Sequence, residues 1–181
     1  VPSGADDRAK QMIHELKQDG HYLGAHSDQH LLYASWEKRD STLVSQKMFQ
    51  KDLRNNYREM ARFSIQKADA RYYLPPYEWY NDTITSWSRK LGIQLVNFTP
   101  GTQSNQDWTY PALNDRYFSS SQLYNSILDY EEKKSLNGFN LLIHMGTDPR
   151  RKDKLYDRLD ALISELKQRG YRFTRIDQTA H

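Results

Sequence analysis

Gly20-His21-Tyr22-Leu23-Gly24-Ala25-His26-Ser27-Asp28-Gln29-His30 is the stretch on which the fold of this chain turns. Residues 22–25 form a short apolar run that predicts a strand, and the run delivers His26 and His30 just past its carboxyl end. Parallel α/β sheets and barrels keep their functional residues at that end of their strands. Neutral imidazole is a common nitrogen ligand for Zn²⁺, and two histidines four residues apart on one turn can aim their ring nitrogens at a single point. A stable centre needs at least a third protein group, with a position left open for water if it does chemistry. His-x-x-x-His without the central Glu of the zincin pattern is a loose match, so the rest of the chain decides it.

On the N-terminal side, residues 5–18 place Ala9, Met12, Ile13 and Leu16 at the spacing of an amphipathic helix, with Gly20 as its stop. On the other side, residues 41–65 predict a long helix carrying Val44, Phe49, Leu53, Tyr57, Met60 and Ala61 on one face. Residues 71–74 predict a strand closed by Pro75-Pro76, which cannot continue a central ladder. Asn81 is placed to cap a helix bearing Ile84, Trp87 and Leu91, and Gly92 sits where a C′ glycine belongs. Residues 93–98 are the next predicted strand. The polar segment 99–116, which holds Asp107-Trp108, is too long for a plain connection and reads as functional.

The final third repeats the pattern. A helix over residues 121–133 precedes an apolar strand, residues 139–143, that ends in His144. A periodic helix with Leu155, Leu159, Leu162, Ile163 and Leu166 then leads through Gly170 to a last strand over residues 171–176. Five helices alternating with five strands predict a parallel α/β architecture. The chain opens with a helix, so its first βα unit is half missing. No internal repeat or low-complexity linker interrupts it, and a single domain over residues 1–181 is expected.

Composition narrows the function classes. The net charge is only +3 and the basic residues are interspersed with acids, which leaves neither a nucleic-acid stripe nor a polybasic membrane patch. No segment is apolar for long enough to span a membrane. Cysteine is absent, so disulfides and thiolate ligands are excluded and any metal is held by His and carboxylate. The 13 tyrosines and 4 tryptophans suit a cleft that stacks on sugar rings as well as a core.

Three further stretches join the histidine pair in order: Tyr72-Tyr73-Leu74-Pro75-Pro76-Tyr77-Glu78-Trp79-Tyr80-Asn81, Gln106-Asp107-Trp108 and Asn140-Leu141-Leu142-Ile143-His144. Together with Gly20-His21-x-x-Gly24-x-His26-Ser27-x-x-His30 they resemble the NodB-homology polysaccharide deacetylases, carbohydrate esterase family 4, over about residues 6–176. The resemblance implies a parallel, distorted or incomplete (β/α) barrel of the NodB type. It implies a hydrolase that removes N-acetyl, or less often O-acetyl, groups from a polysaccharide, secreted or at the bacterial cell envelope. In such enzymes His26 and His30 would bind a divalent metal, commonly zinc, together with an aspartate, and Ser27 would fix the loop between them. The backbone N–H at Tyr77 would face the oxyanion, His144 would protonate the departing amine, and Asp107 would keep that imidazole charged and oriented. Trp108 and Leu142 match the apolar walls that receive the acetyl methyl group.

The sequence also departs from the family pattern. The first motif, a strand ending in Asp-Asp that supplies the base and the third metal ligand, would belong upstream of Val1. Asp6-Asp7 is no substitute, because no strand precedes it and acids in a first helical turn are ordinary macrodipole partners. The expectation is therefore a fragment of a longer protein, with the missing N-terminal segment as a candidate partner chain. Leu74 stands where an arginine usually pairs with the base, Arg71 falls on the opposite face, and Glu78 replaces a customary glycine. These departures leave a second reading, a non-catalytic member of the same fold that binds glycan in a cleft lined by Tyr77, Trp79, Tyr80 and Trp108.

Overall fold

In the computed structural model, which describes residues 7–178, Ser45 sets the start of the long helix. Its side chain accepts from the Met48 N–H, so α2 runs Gln46–Ala61 and is shorter at both ends than the predicted 41–65. Upstream of the cap the backbone is committed elsewhere: Thr42 forms an antiparallel bridge with Ala34, and the Leu43 N–H donates to the Tyr33 carbonyl. The first helix, α1, spans Asp7–Gln18 as the periodicity predicts. Residues 5 and 6 of that prediction, and with them Asp6, lie outside the described residues.

The chain divides into two compact units, Val1–Asn97 with Thr174–His181, and Phe98–Phe173. In the first, β1 (Tyr72–Tyr73) pairs in parallel with β2 (Gln94–Leu95), and Ala25 bridges Tyr73 in parallel from the other side. The three strands expected at residues 22–25, 71–74 and 93–98 therefore lie side by side, but their ladders are much shorter than expected. Side chains and prolines account for this at β1. The Tyr22 hydroxyl accepts the Tyr72 N–H at 2.8 Å, and Pro75-Pro76 ends the strand beyond Leu74. Gly24 is needed for the close approach, since a Cβ there would sit 3.0 Å from the Tyr72 carbonyl oxygen.

Helix α3 (Asp82–Lys90) follows its sequence signals closely. The Asn81 side chain accepts from the Ile84 N–H, and Gly92 takes the left-handed conformation (φ 67°) that ends the helix. Tyr33, Phe49, Leu53, Tyr73 and Ile84 are fully buried at the centre of this unit's core. Burial of each large apolar side chain contributes about 1.5–3 kcal/mol.

The second unit is built on α4 (Ser120–Lys134) and α5 (Leu159–Gln168), the latter preceded by a 3-10 turn at Leu155–Arg158. Ser119 and Gln122 form a reciprocal capping box at the start of α4, which fixes its first residue. Ile127, Leu136, Leu162 and Leu166 form the core, with Phe139, Leu141 and Tyr171 packed against it. The strands predicted at 139–143 and 171–176 are a correction: among the described residues neither is paired in a ladder. Phe139, Leu141 and Tyr171 of these segments serve packing instead of pairing. A backbone bond from the Thr99 N–H to the Asn140 carbonyl and one from the Asn140 N–H to Thr99 Oγ1 take the place of ladder bonds there.

Candidate active site

The histidine loop is held by the inward face of α2. Asp52 and Asn56, one turn apart and both buried, point at the loop and collect its donors. The Asp52 carboxylate accepts from Ser27 Oγ at 2.7 Å, from the Gln29 N–H at 2.8 Å and from the Asp28 N–H at 3.4 Å. Asn56 Oδ1 accepts the His26 N–H, and Ser27 Oγ in turn accepts the His30 N–H. Ser27 (φ 82°) and His30 (φ 51°) both adopt positive φ, a conformation that costs a non-glycine residue roughly 1–2 kcal/mol. Bonds to a charged acceptor, worth about 1.5–3 kcal/mol each, offset that strain. Behind the carboxylate, the Tyr33 hydroxyl donates to Asp52 and lies 2.5 Å from the Tyr73 hydroxyl. Burial pushes both phenols well above their ordinary pKa and keeps them neutral donors.

His26 Nδ1 lies 2.8 Å from the Leu74 carbonyl oxygen. A carbonyl only accepts, so Nδ1 carries a hydrogen, and in the neutral ring this leaves the lone pair on Nε2, the arrangement that orients metal-binding histidines. Leu74 thus contributes its backbone, whatever its side chain. The His26 and His30 rings lie 5.2 Å apart. Burial, reinforced by the nearby His26, holds His30 below its ordinary pKa, which favours the neutral ring. Imidazole in its neutral form suits a borderline divalent cation such as Zn²⁺. His26 and His30 are an incomplete set, because among the described residues no group of three His, Asp or Glu is placed to hold a metal.

Tyr77 sits over His30 with ring centroids 4.5 Å apart, in the 3-10 turn Pro76–Glu78. Both Tyr77 (φ 59°) and Glu78 (φ 53°) take positive φ, which explains why glycine suits the Glu78 position. The Tyr77 N–H has no acceptor among the described residues.

In the second unit Asp107 is buried and grips His144 twice. One carboxylate oxygen accepts the His144 N–H at 2.7 Å and the other lies 2.5 Å from its Nδ1. Nδ1 is therefore the donor, and Nε2 is the nitrogen that Asp107 does not engage. Trp108 is exposed and lines a cleft of about 450 Å³ with Phe98, Gln106, Arg116 and Phe118. Leu142 is half-buried and does not line that cleft.

Sequence reasoning missed Asp52 and Asn56, although two polar residues beside Leu53 on an apolar helical face were a signal. It also missed Arg151, fully buried, whose guanidinium donates to the Thr109 and Phe118 carbonyls and to Ser120 Oγ. Arg151 thereby ties down the segment that follows Asp107.

Residues 2–96 match the family model described as polysaccharide deacetylase. No curated protein matches the chain. Among solved structures it is similar to the Bc1960 peptidoglycan N-acetylglucosamine deacetylase, with TM-score 0.68 and 17% identity over 94% of this chain and 68% of that one. It is similar to the peptidoglycan deacetylase PdaC from Bacillus subtilis, with TM-score 0.65 and 17% identity over 94% and 69%. It is also similar to BA3943, a CE4 family pseudoenzyme from Bacillus anthracis, with TM-score 0.62 and 15% identity, and there it covers only 50% of that chain. These likenesses show the α/β fold of NodB-type deacetylases, of which this chain spans about half to two thirds of the length.

Proposed function

Since the chain belongs to the polysaccharide deacetylase family, we propose that it works in a metal-dependent hydrolase that removes acetyl groups from an N- or O-acetylated polysaccharide, at the cell envelope or outside the cell. The observation that supports this best is the histidine loop, in which Leu74 orients His26 by accepting from its Nδ1–H and burial lowers the pKa of His30. His26 and His30 would hold the metal, most consistently Zn²⁺, with the remaining donors and the general base supplied from outside the described residues. When bound, such a cation polarises the acetyl carbonyl and lowers the pKa of a water molecule.

The chain's own residues do the rest in this reading. Asp52 and Asn56 keep both imidazoles in place. The Tyr77 N–H donates to the oxyanion that develops on the carbonyl oxygen, a contribution that is large in a preorganised site. His144 delivers a proton from Nε2 to the departing amine, while Asp107 holds Nδ1–H and balances the charge the ring carries. Trp108 gives an apolar wall for the acetyl methyl group. Both compact units belong to one deacetylase domain on this account.

The second reading, glycan binding without turnover, is favoured by Leu74 in place of an arginine and by the incomplete donor set among the described residues. Acetate release from N-acetylated oligosaccharides by the full-length protein separates the two. The deacetylase reading expects release that a chelator abolishes and Zn²⁺ restores. It also expects His144→Ala to lower the rate per folded molecule about 10²- to 10⁴-fold. Oligosaccharide binding with no acetate released under any metal would establish the second reading instead.

A further inference from the structure

Trp36 is 57% exposed, yet it is rigidly mounted. It follows the fully buried Tyr33 and Ala34 in a turn closed by bonds from the Ser35 N–H to the Ser41 carbonyl and from the Ser41 N–H to the Lys38 carbonyl. Ser35 Oγ accepts the Glu37 and Lys38 N–H groups inside that turn. The indole stacks on Trp79 with ring centroids 5.4 Å apart and planes 28° from parallel, and meets the Tyr77 ring edge-on at 5.8 Å. Trp79 is itself fixed, because its Nε1 donates to the Ser35 carbonyl and the Arg39 guanidinium lies 4.3 Å from its ring. Arg39 is anchored in turn by its Nε bond to the Tyr80 carbonyl. A continuous row of rings therefore runs from His30 through Tyr77 to Trp36, backed by Trp79.

An exposed indole held by its neighbours loses little entropy when a flat apolar face docks on it. Pyranose rings present such C–H faces, with hydroxyls around the rim. The charges on the turn are Glu37, Lys38, Arg39 and Asp40, which cancel, so nothing there draws a phosphate backbone. We propose that Trp36 is the platform of a distinct sugar subsite, which stacks a pyranose ring of the glycan chain neighbouring the acetylated residue. The proposal rests on the deacetylase reading for the identity of the glycan, and on the ring geometry for the subsite.

The test compares Trp36→Ala and Trp36→Phe in the full-length protein, using chitin oligomers and a small aryl acetate ester as probes, with thermal midpoints as a folding control. Trp36→Ala should raise the oligomer KM and weaken oligomer binding by roughly three- to tenfold. The kcat and the rate on the small ester should not move, and Trp36→Phe should recover most of the loss. Calorimetric titration of oligomer without added metal reads the subsite independently of turnover. Trp36-dependent binding with no acetate release would sink the catalytic reading and keep the subsite. Turnover with oligomer KM and binding unaltered in Trp36→Ala, or an equal loss on the small ester, would overturn the subsite.

Discussion

Asp52 is where one side chain matters most to the candidate site. It gathers Ser27 Oγ, the Asp28 and Gln29 N–H groups and the Tyr33 hydroxyl around a carboxylate that is 3% exposed. Asp52→Ala would leave these donors without their acceptor in a protein interior, a loss of roughly 2–4 kcal/mol. Asp52→Asn keeps an oxygen but not the charge and should cost less. Urea unfolding of the two variants checks this, and a midpoint for Asp52→Ala equal to that of the parent would show that the loop does not depend on the carboxylate. The histidines of this loop were legible because their spacing is local. Asp52 was not, because a lone aspartate in a helix reads as a solvated face until a loop more than twenty residues away in sequence folds over it. Asp107 and His144 were legible only through their likeness to a motif pair, since nothing in their own neighbourhoods shows that one buried carboxylate would bind both the backbone and the ring of the other.

The elements whose ends carry their own chemistry were read correctly. Asn81 and Gly92 bound α3 through contacts within a few residues, and the α1 periodicity needed no partner. Strands were overestimated, because an apolar run such as residues 139–143 can satisfy itself by packing against α4 and α5 as well as by pairing. The start of α4 also has a long-range lock that no local signal announces. Asp153 accepts the Ser120 N–H at 2.5 Å and the Tyr117 hydroxyl at 3.3 Å, close to the positive end of the helix dipole. Burial alone would raise the Asp153 pKa, but the Ser120 bonds, Arg151 and Tyr117 outweigh it and hold it below its ordinary 3.8. The unfolded chain then binds a proton at a higher pH than the folded one. Stability from this group is complete above pH 3.8 and is lost as pH falls through the folded value. Asp153→Asn should therefore lower stability at neutral pH and flatten its decline below about pH 4. Denaturation midpoints measured from pH 7 down to pH 2 check this, and an acid limb as steep as that of the parent would refute it.

For the molecule as a whole, the family match and the fold point the same way, but they cover different ground. The match over residues 2–96 includes the histidine loop and the Tyr77 turn, while Asp107 and His144 lie beyond it and depend on their own geometry. No helix among the described residues is long and apolar enough to cross a membrane, and the net charge of the chain is a modest +3. The central claim is that His26 and His30 bind the metal on which deacetylation depends. The direct measurement is calorimetric Zn²⁺ titration of the full-length protein beside His26→Ala and His30→Ala, with acetate release followed on the same samples. The account predicts that each substitution weakens Zn²⁺ binding by more than about 100-fold and removes zinc-dependent acetate release. Unchanged zinc affinity in both variants would contradict it.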